Sequence, residues 1–415
     1  MGYFLRARAQ LKKRGLLLSS RITLDQVVAA ILDRVKGTPL ESITTSVKPD
    51  QANSRLITMH PGGAGLLLEE TDGHVRIEAK TSILGPGYHA FLVSALESAE
   101  SSLGLRWEWH DEADYVRDHD FAGLQARMAN LMKELAHAMR AQVGSDADVA
   151  GTQILMDLDF QVEPHGDEVL TPLGPITVDR FLSWQRLDEK GLRTEATFFL
   201  YSWWSEGFDP WFYRGLALYS MWNDIRWAYP IDPNEVGLAK RTLGWVDEAM
   251  ELGIIGPEFF PTVLEEITDV ILAEEEPLHF PKSEGIGYRR RTAELRLGRN
   301  WKLTVPASLG RRIEEKDGNT SLVLENHVLH IRVTLGSAPA RDDLDPSEID
   351  VDRGIIADKD GLLVVNVTAT ASRGGDRDAL CLMTVTVRDD RFRGLVEQII
   401  NSLEFTEMDD PEEGD

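Results

Sequence analysis

The densest set of metal-ligating and proton-transfer side chains in the sequence lies between His110 and Asp120, as His110-Asp111-Glu112, Asp114-Tyr115 and Asp118-His119-Asp120. Carboxylates and imidazoles together suit a hard or borderline divalent ion. A metal-assisted hydrolase with His110, Asp114 and His119 as ligands is therefore one expectation. The spacing opposes it, because His110 and His119 are nine residues apart and not in the i, i+4 frame that puts two imidazoles on one helix face. Asp120 has a simpler task as the cap of a helix starting at Phe121. The stronger expectation is a chain with neither metal nor cofactor.

Other candidates carry less chemistry. Asp157 and Asp159 share one face of a strand-like run Ile154–Phe160, a spacing a carboxylate dyad could use, but the apolar alternation makes that face the wet one. Gly62-Gly63-Ala64-Gly65 precedes a strand-like Leu66-Leu67-Leu68 and reads as a hairpin turn, since a phosphate loop must open a helix. Gly85-Pro86-Gly87-Tyr88-His89 does open a helix, yet Pro86 has no N–H to offer an anion; Tyr88 and His89 at its first turn could still line a surface cleft. The single cysteine, Cys381, sits in Leu380-Cys381-Leu382-Met383 and reads as a small packed hydrophobe. It excludes an internal disulfide framework, and no G-x-S-x-G motif is present.

The strongest candidate is a binding surface. Residues 146–276 contain 26 Asp/Glu against 8 Lys/Arg, and seven of the ten tryptophans. Trp203, Trp204 and Trp211 flank a turn at Gly207, with Glu206 and Asp209 between them. Aromatic anchors amid acids suit a protein partner with a basic surface, the rings supplying hot spots and the charge speeding encounter. These five residues are the expected partner-binding set.

The elements that would position such residues can be read from periodicity. Thr23 and Gln26 form a capping box before a helical stripe from Leu24 to Val35, and Leu56–His60, Leu66–Glu69 and Val75–Ala79 read as strands. Phe121, Leu124, Met128, Leu131, Met132, Leu135 and Met139 form one helix stripe. Asp209-Pro210 and Asp232-Pro233 each read as a cap followed by proline at the first helical position. After a Glu274-Glu275-Glu276-Pro277 stretch the period changes to two, with strands at 303–305, 321–324, 328–335, 362–370 and 380–387, then a helix capped by Asp390. The expected fold is α+β: a small N-terminal sheet with helices, an aromatic, mostly helical middle, and a C-terminal antiparallel sheet covered by a terminal helix. The expected divisions are 1–145 with a basic N-terminal arm, 146–276, a linker at 277–290, 291–406, and an acidic disordered tail at 407–415.

The chain has 415 residues and a formal net charge of −25, which speaks against broad nucleic-acid binding. No apolar run approaches the ~20 residues of a membrane-spanning helix, and the basic start lacks the apolar core of a signal peptide. A cytoplasmic location is expected. The C-terminal third resembles the PsbP-like group of small α/β domains, through Trp301-Lys302-Leu303-Thr304-Val305-Pro306 and the closing Ile400-Asn401-Ser402-Leu403-Glu404. That resemblance implies a binding module, a class that includes chaperones for bacterial secreted effectors. The acidic stretch Asp342–Asp352 departs from it. Together these readings predict a non-enzymatic, bacterial-type protein-binding protein with an immunity, chaperone or adaptor role.

Overall fold

The computed structural model describes residues 2–11, 22–47, 53–63, 65–142, 149–156, 161–227, 233–253, 265–268, 271, 285–298, 300–316, 319–326, 329–339, 349–357, 362–371, 377–388 and 392–406. The Asp157 and Asp159 pair, the caps Asp232 and Asp390, and the tail 407–415 lie outside these residues, as does the 277–284 part of the expected linker. The fold is α+β. Two compact units divide the chain: Met1–Leu158, Pro164–Ile225 and Leu238–Leu264 form unit 1, and Asp159–Glu163, Arg226–Gly237 and Glu265–Asp415 form unit 2. The expected separate middle domain at 146–276 is thus mostly part of unit 1, and the chain enters unit 2 twice before its final passage.

Unit 1 contains an antiparallel sheet of β1 (Phe4–Gln10), β2 (Thr45–Val47), β3 (Ser54–Thr58), β4 (Leu66–Thr71), β5 (His74–Lys80) and β6 (Glu108–Asp111), in the order β2-β3-β4-β5-β1-β6. The expected basic N-terminal arm therefore begins as an inner strand. Leu5, Ala7 and Ala9 point into the core by period-two alternation, while Arg6 faces outward and pairs with Glu78 at 2.9 Å and Glu112 at 2.8 Å. Residues 12–21 of that arm lie outside the described residues.

Helix α1 (Leu24–Asp33) starts at the Thr23 capping box, where the Thr23 hydroxyl accepts the Gln26 N–H and the Gln26 side chain accepts the Thr23 N–H. Helix α2 (Pro86–Leu103) follows Gly85, whose φ of +110° belongs to glycine. A short α3 (Tyr115–Asp118) leads into α4 (Phe121–Gln142), and the Asp120 carboxylate accepts the Gly123 N–H at 3.0 Å as its cap. Short strands β7 (Gln161–Val162), β8 (Glu168–Val169) and β9 (Ile176–Thr177) come next, β7 belonging to unit 2. Helices α5 (Val178–Ser183) and α6 (Glu189–Glu195), a π-helical turn Ala196–Leu200, and α7 (Pro210–Tyr219) make up the aromatic middle. Helix α8 (Pro233–Glu251) closes with Gly253 at φ +91°.

Unit 2 holds two antiparallel sheets. In the first, β10 (Thr292–Leu297) and β11 (Trp301–Pro306) lie between β7 and the short β18 (Glu404–Phe405), in the order β18-β11-β10-β7. The second joins β12 (Gly310–Lys316), β13 (Asn319–Glu325), β14 (Leu329–Pro339), β15 (Ile349–Ala357), β16 (Leu363–Ala371) and β17 (Arg377–Val387), in the order β12-β13-β14-β17-β16-β15. The terminal helix, α9 (Arg393–Asn401), buries Val396, Ile399 and Ile400. Its following Ser402 accepts the Thr304 N–H at 3.0 Å, and Trp301 is the register partner of Phe405, so the two sequence pieces quoted above are neighbours in space. Residues 349–352 of the acidic stretch begin β15, an outer strand, and at the end of the expected linker Tyr288 is fully buried and the Arg290 guanidinium lies 4.2 Å from the centre of the Trp227 ring.

Candidate binding surface

The five expected partner-binding residues fall into three groups. Trp203 is fully buried and Trp204 is 4% exposed, so neither indole is a surface anchor. The cause is in the backbone: the Trp203 N–H donates to the Leu84 carbonyl at 3.0 Å, and its own carbonyl accepts the Gly87 N–H at 3.0 Å. These bonds hold the segment inside unit 1, where the Trp203 ring lies 5.4 Å from Phe91 and 4.8 Å from Phe212, and Trp204 stacks on Tyr201 at 5.8 Å. A Cβ on Gly87 would stand 2.1 Å from the Trp203 ring. The Gly85-Pro86-Gly87 motif therefore makes room for a tryptophan rather than an anion. Tyr88 and His89, expected at a cleft, are buried with it.

Asp209 is occupied as the cap of α7, accepting the Phe212 N–H at 3.0 Å and the Ser205 hydroxyl. Glu206 is exposed. Trp211 is part-exposed, and it is the residue around which a surface assembles. Its ring lies 5.4 Å from Phe198, which is 38% exposed and the most open aromatic side chain among the described residues. Phe198 stands on the π-helical turn, closed by the bond from the Tyr201 N–H to the Ala196 carbonyl. Such turns are frequent at functional sites.

Arg214 completes the surface. Three residues beyond Trp211 on α7, it shares that residue's helix face, and its guanidinium carbon lies 4.7 Å from the Phe198 ring centre and 5.5 Å from that of Trp211. One nitrogen donates to the Thr197 carbonyl at 3.3 Å. No carboxylate pairs with it among the described residues. Burial pulls its pKa down to about 10. It stays charged at neutral pH, under-solvated and beside two rings, an arrangement that can receive a carboxylate. Sequence reasoning passed over it, although Arg214 is the one Lys or Arg between residues 194 and 225. A lone cation one helical turn from a tryptophan in an acidic stretch was the available signal.

The alternative metal residues do not gather. His110 is open on β6, with its Nε2 3.9 Å from Glu112; Asp114 stands 3.8 Å from Arg117; His119 meets Glu97 at 3.0 Å. Among the described residues no group of three or more His, Cys, Asp or Glu side chains could hold a metal ion.

Two buried histidines imitate catalytic arrangements without their access. Thr81 Oγ1 lies 2.8 Å from His89 Nδ1, and His89 Nε2 lies 3.3 Å from Asp111 Oδ1, all three side chains being almost fully enclosed. Burial works to raise the Asp111 carboxyl, but neighbouring His89 and the N–H groups of Val116 and Ala113 hold it down at about 2. In the second, His60 Nδ1 accepts the Gly62 N–H at 3.1 Å, so Nε2 carries the proton and donates to Ser202 Oγ at 3.1 Å. That polarity is opposite to what a base activating Ser202 needs. Burial pushes the His60 pKa down to about 3 and the Cys381 thiol up to about 12, leaving both neutral.

No family model, no curated protein and no solved structure matches the chain.

Proposed function

We propose that this chain is a non-enzymatic protein-binding protein, and that a partner docks on the Phe198–Trp211–Arg214 surface of unit 1 by placing a carboxylate against the guanidinium. The observation that carries the reading is the under-solvated cation between two part-open rings, with no acid paired to it among the described residues. An incoming carboxylate restores its lost solvation with charge-assisted hydrogen bonds, and the rings supply apolar area around it. The net −18 of residues 146–276 gives a longer-ranged pull, so the partner is basic overall with one acidic side chain at the anchor. An immunity, chaperone or adaptor role uses this kind of capture. The hydrolase alternative has less support, because His110, Asp114 and His119 do not converge.

The test is affinity capture with the full chain, identification of the partner, and binding kinetics with that partner purified. Trp211→Ala and Arg214→Met should each raise the dissociation rate about tenfold or more, as loss of a central anchor does. Added salt should chiefly slow association. A partner that binds both variants with unchanged kinetics removes this surface from the interface.

A further inference from the structure

Unit 2 contains a pocket of about 210 Å³ whose lining includes Arg226, Arg289 and Arg311 together with the apolar Leu295, Val305 and Leu324. No acidic side chain lines it among the described residues, in a chain where acids outnumber bases 69 to 44. Each guanidinium offers only donors, five apiece, and never loses its charge near neutral pH.

The arginines come from three separate places, and two of them are held there by their own bonds. Arg226 is fixed by Glu235, its Nη1 lying 2.6 Å from that carboxylate, and its Nη2 passes so close to Gly310 that a Cβ there would stand 2.9 Å away. Arg289 donates to the Ala307 carbonyl at 3.2 Å. Arg311 is exposed near the start of β12. Arg226 and Arg289, set by their own bonds before a ligand arrives, bind it at lower entropic cost.

We propose that this pocket binds a small organic anion, a carboxylate or phosphate head group carried on a short apolar body. The head meets the guanidinium groups and the body covers the aliphatic side chains, the combination that pockets use to fix both orientation and affinity. The site is independent of the partner surface on unit 1.

The test titrates the full chain by calorimetry with hexyl phosphate, hexanoate and hexan-1-ol. The expected result is saturable binding of at least one anion with a Kd of about 1 mM or tighter, and none of the alcohol. The tighter anion assigns the head group. Arg311→Met, which keeps the aliphatic stem of an exposed residue, should weaken that binding about tenfold or more with an unchanged melting temperature. Gly310→Ala, which displaces the Arg226 guanidinium, should weaken it too. Failure of both anions to bind, equal binding of the alcohol, or unchanged affinity in the Arg311→Met variant would overturn the proposal.

Discussion

Replacing the half-buried Arg214 by methionine should leave unit 1 as stable as before or more so, against the usual outcome for removing an enclosed charge. Burial pulls the guanidinium pKa well below its ordinary value, to about 10, which disfavours the charged form by about 3 kcal/mol. Against that stand two ring contacts, together about 1–2 kcal/mol, and one hydrogen bond to the Thr197 carbonyl, about 1 kcal/mol. Methionine keeps most of the packing with Phe198 and Trp211. The balance is a change of about 0 to +1 kcal/mol in unfolding free energy at pH 7, whereas breaking a compensated buried pair costs about 3–5 kcal/mol. The sign has a pH signature: the folded pKa is the lower one, so the cost is fully present below pH about 10 and fades as pH rises beyond it towards the range where the unfolded chain also gives up the proton. Urea unfolding of wild type and Arg214→Met at pH 7, read by tryptophan fluorescence, measures the difference. A loss of more than about 2 kcal/mol in the variant would show that the cation already has its counter-charge, and would remove the reason for a partner to bring one.

Two further outcomes can be measured by the same unfolding assay. His60 binds its proton at about 3 when folded and at the ordinary 6.5 when unfolded, so stability attributable to it is present above pH 6.5 and is lost as pH falls from there towards 3; His60→Asn, keeping an acceptor for the Gly62 N–H, should flatten that acid limb, and an unchanged limb would contradict it. Gly87→Ala puts a methyl group 2.1 Å from the Trp203 ring and 2.2 Å from the Ser205 carbonyl oxygen, and should cost about 3 kcal/mol or more, with a red shift of emission as Trp203 meets water.

What was legible in the sequence was decided within one turn of chain. Thr23, Asp120 and Asp209 cap the helices they were expected to cap, because a short side chain reaching the N–H three residues ahead needs nothing distant. Strands such as β16 and β17 declared themselves by apolar alternation, since their inner faces are buried. The outer strands β12 and β15 did not. Gly310-Arg311-Arg312-Ile313-Glu314-Glu315-Lys316 has neighbours on one side only, so it can fill with charge and still pair. Trp203 and Trp204 misled for a related reason: of the three tryptophans around Gly207 it is Trp211 that reaches the surface, while the two adjacent indoles are enclosed by contacts with residues distant in sequence. Arg226, Arg289 and Arg311, 63 and 22 residues apart, meet only through the path of the whole chain, which no local pattern encodes.

The position of β1 between β5 and β6 sets a timetable for the chain as it is made. Its Leu5, Ala7 and Ala9 leave the ribosome well before their strand partners, which are residues 74–80 and 108–111. At 5–20 residues per second the wait for the last of them is about 5–20 s, far longer than the ~1–10 μs in which hairpin pairs such as β4 and β5 close. Through that interval the nascent chain displays a strand with one apolar face and two unpaired edges, a template that any other extended segment can join. The outward Arg6 and Arg8, whose like charges repel a second copy of the same strand, are well placed to keep neighbouring chains on a polysome apart until the sheet is complete.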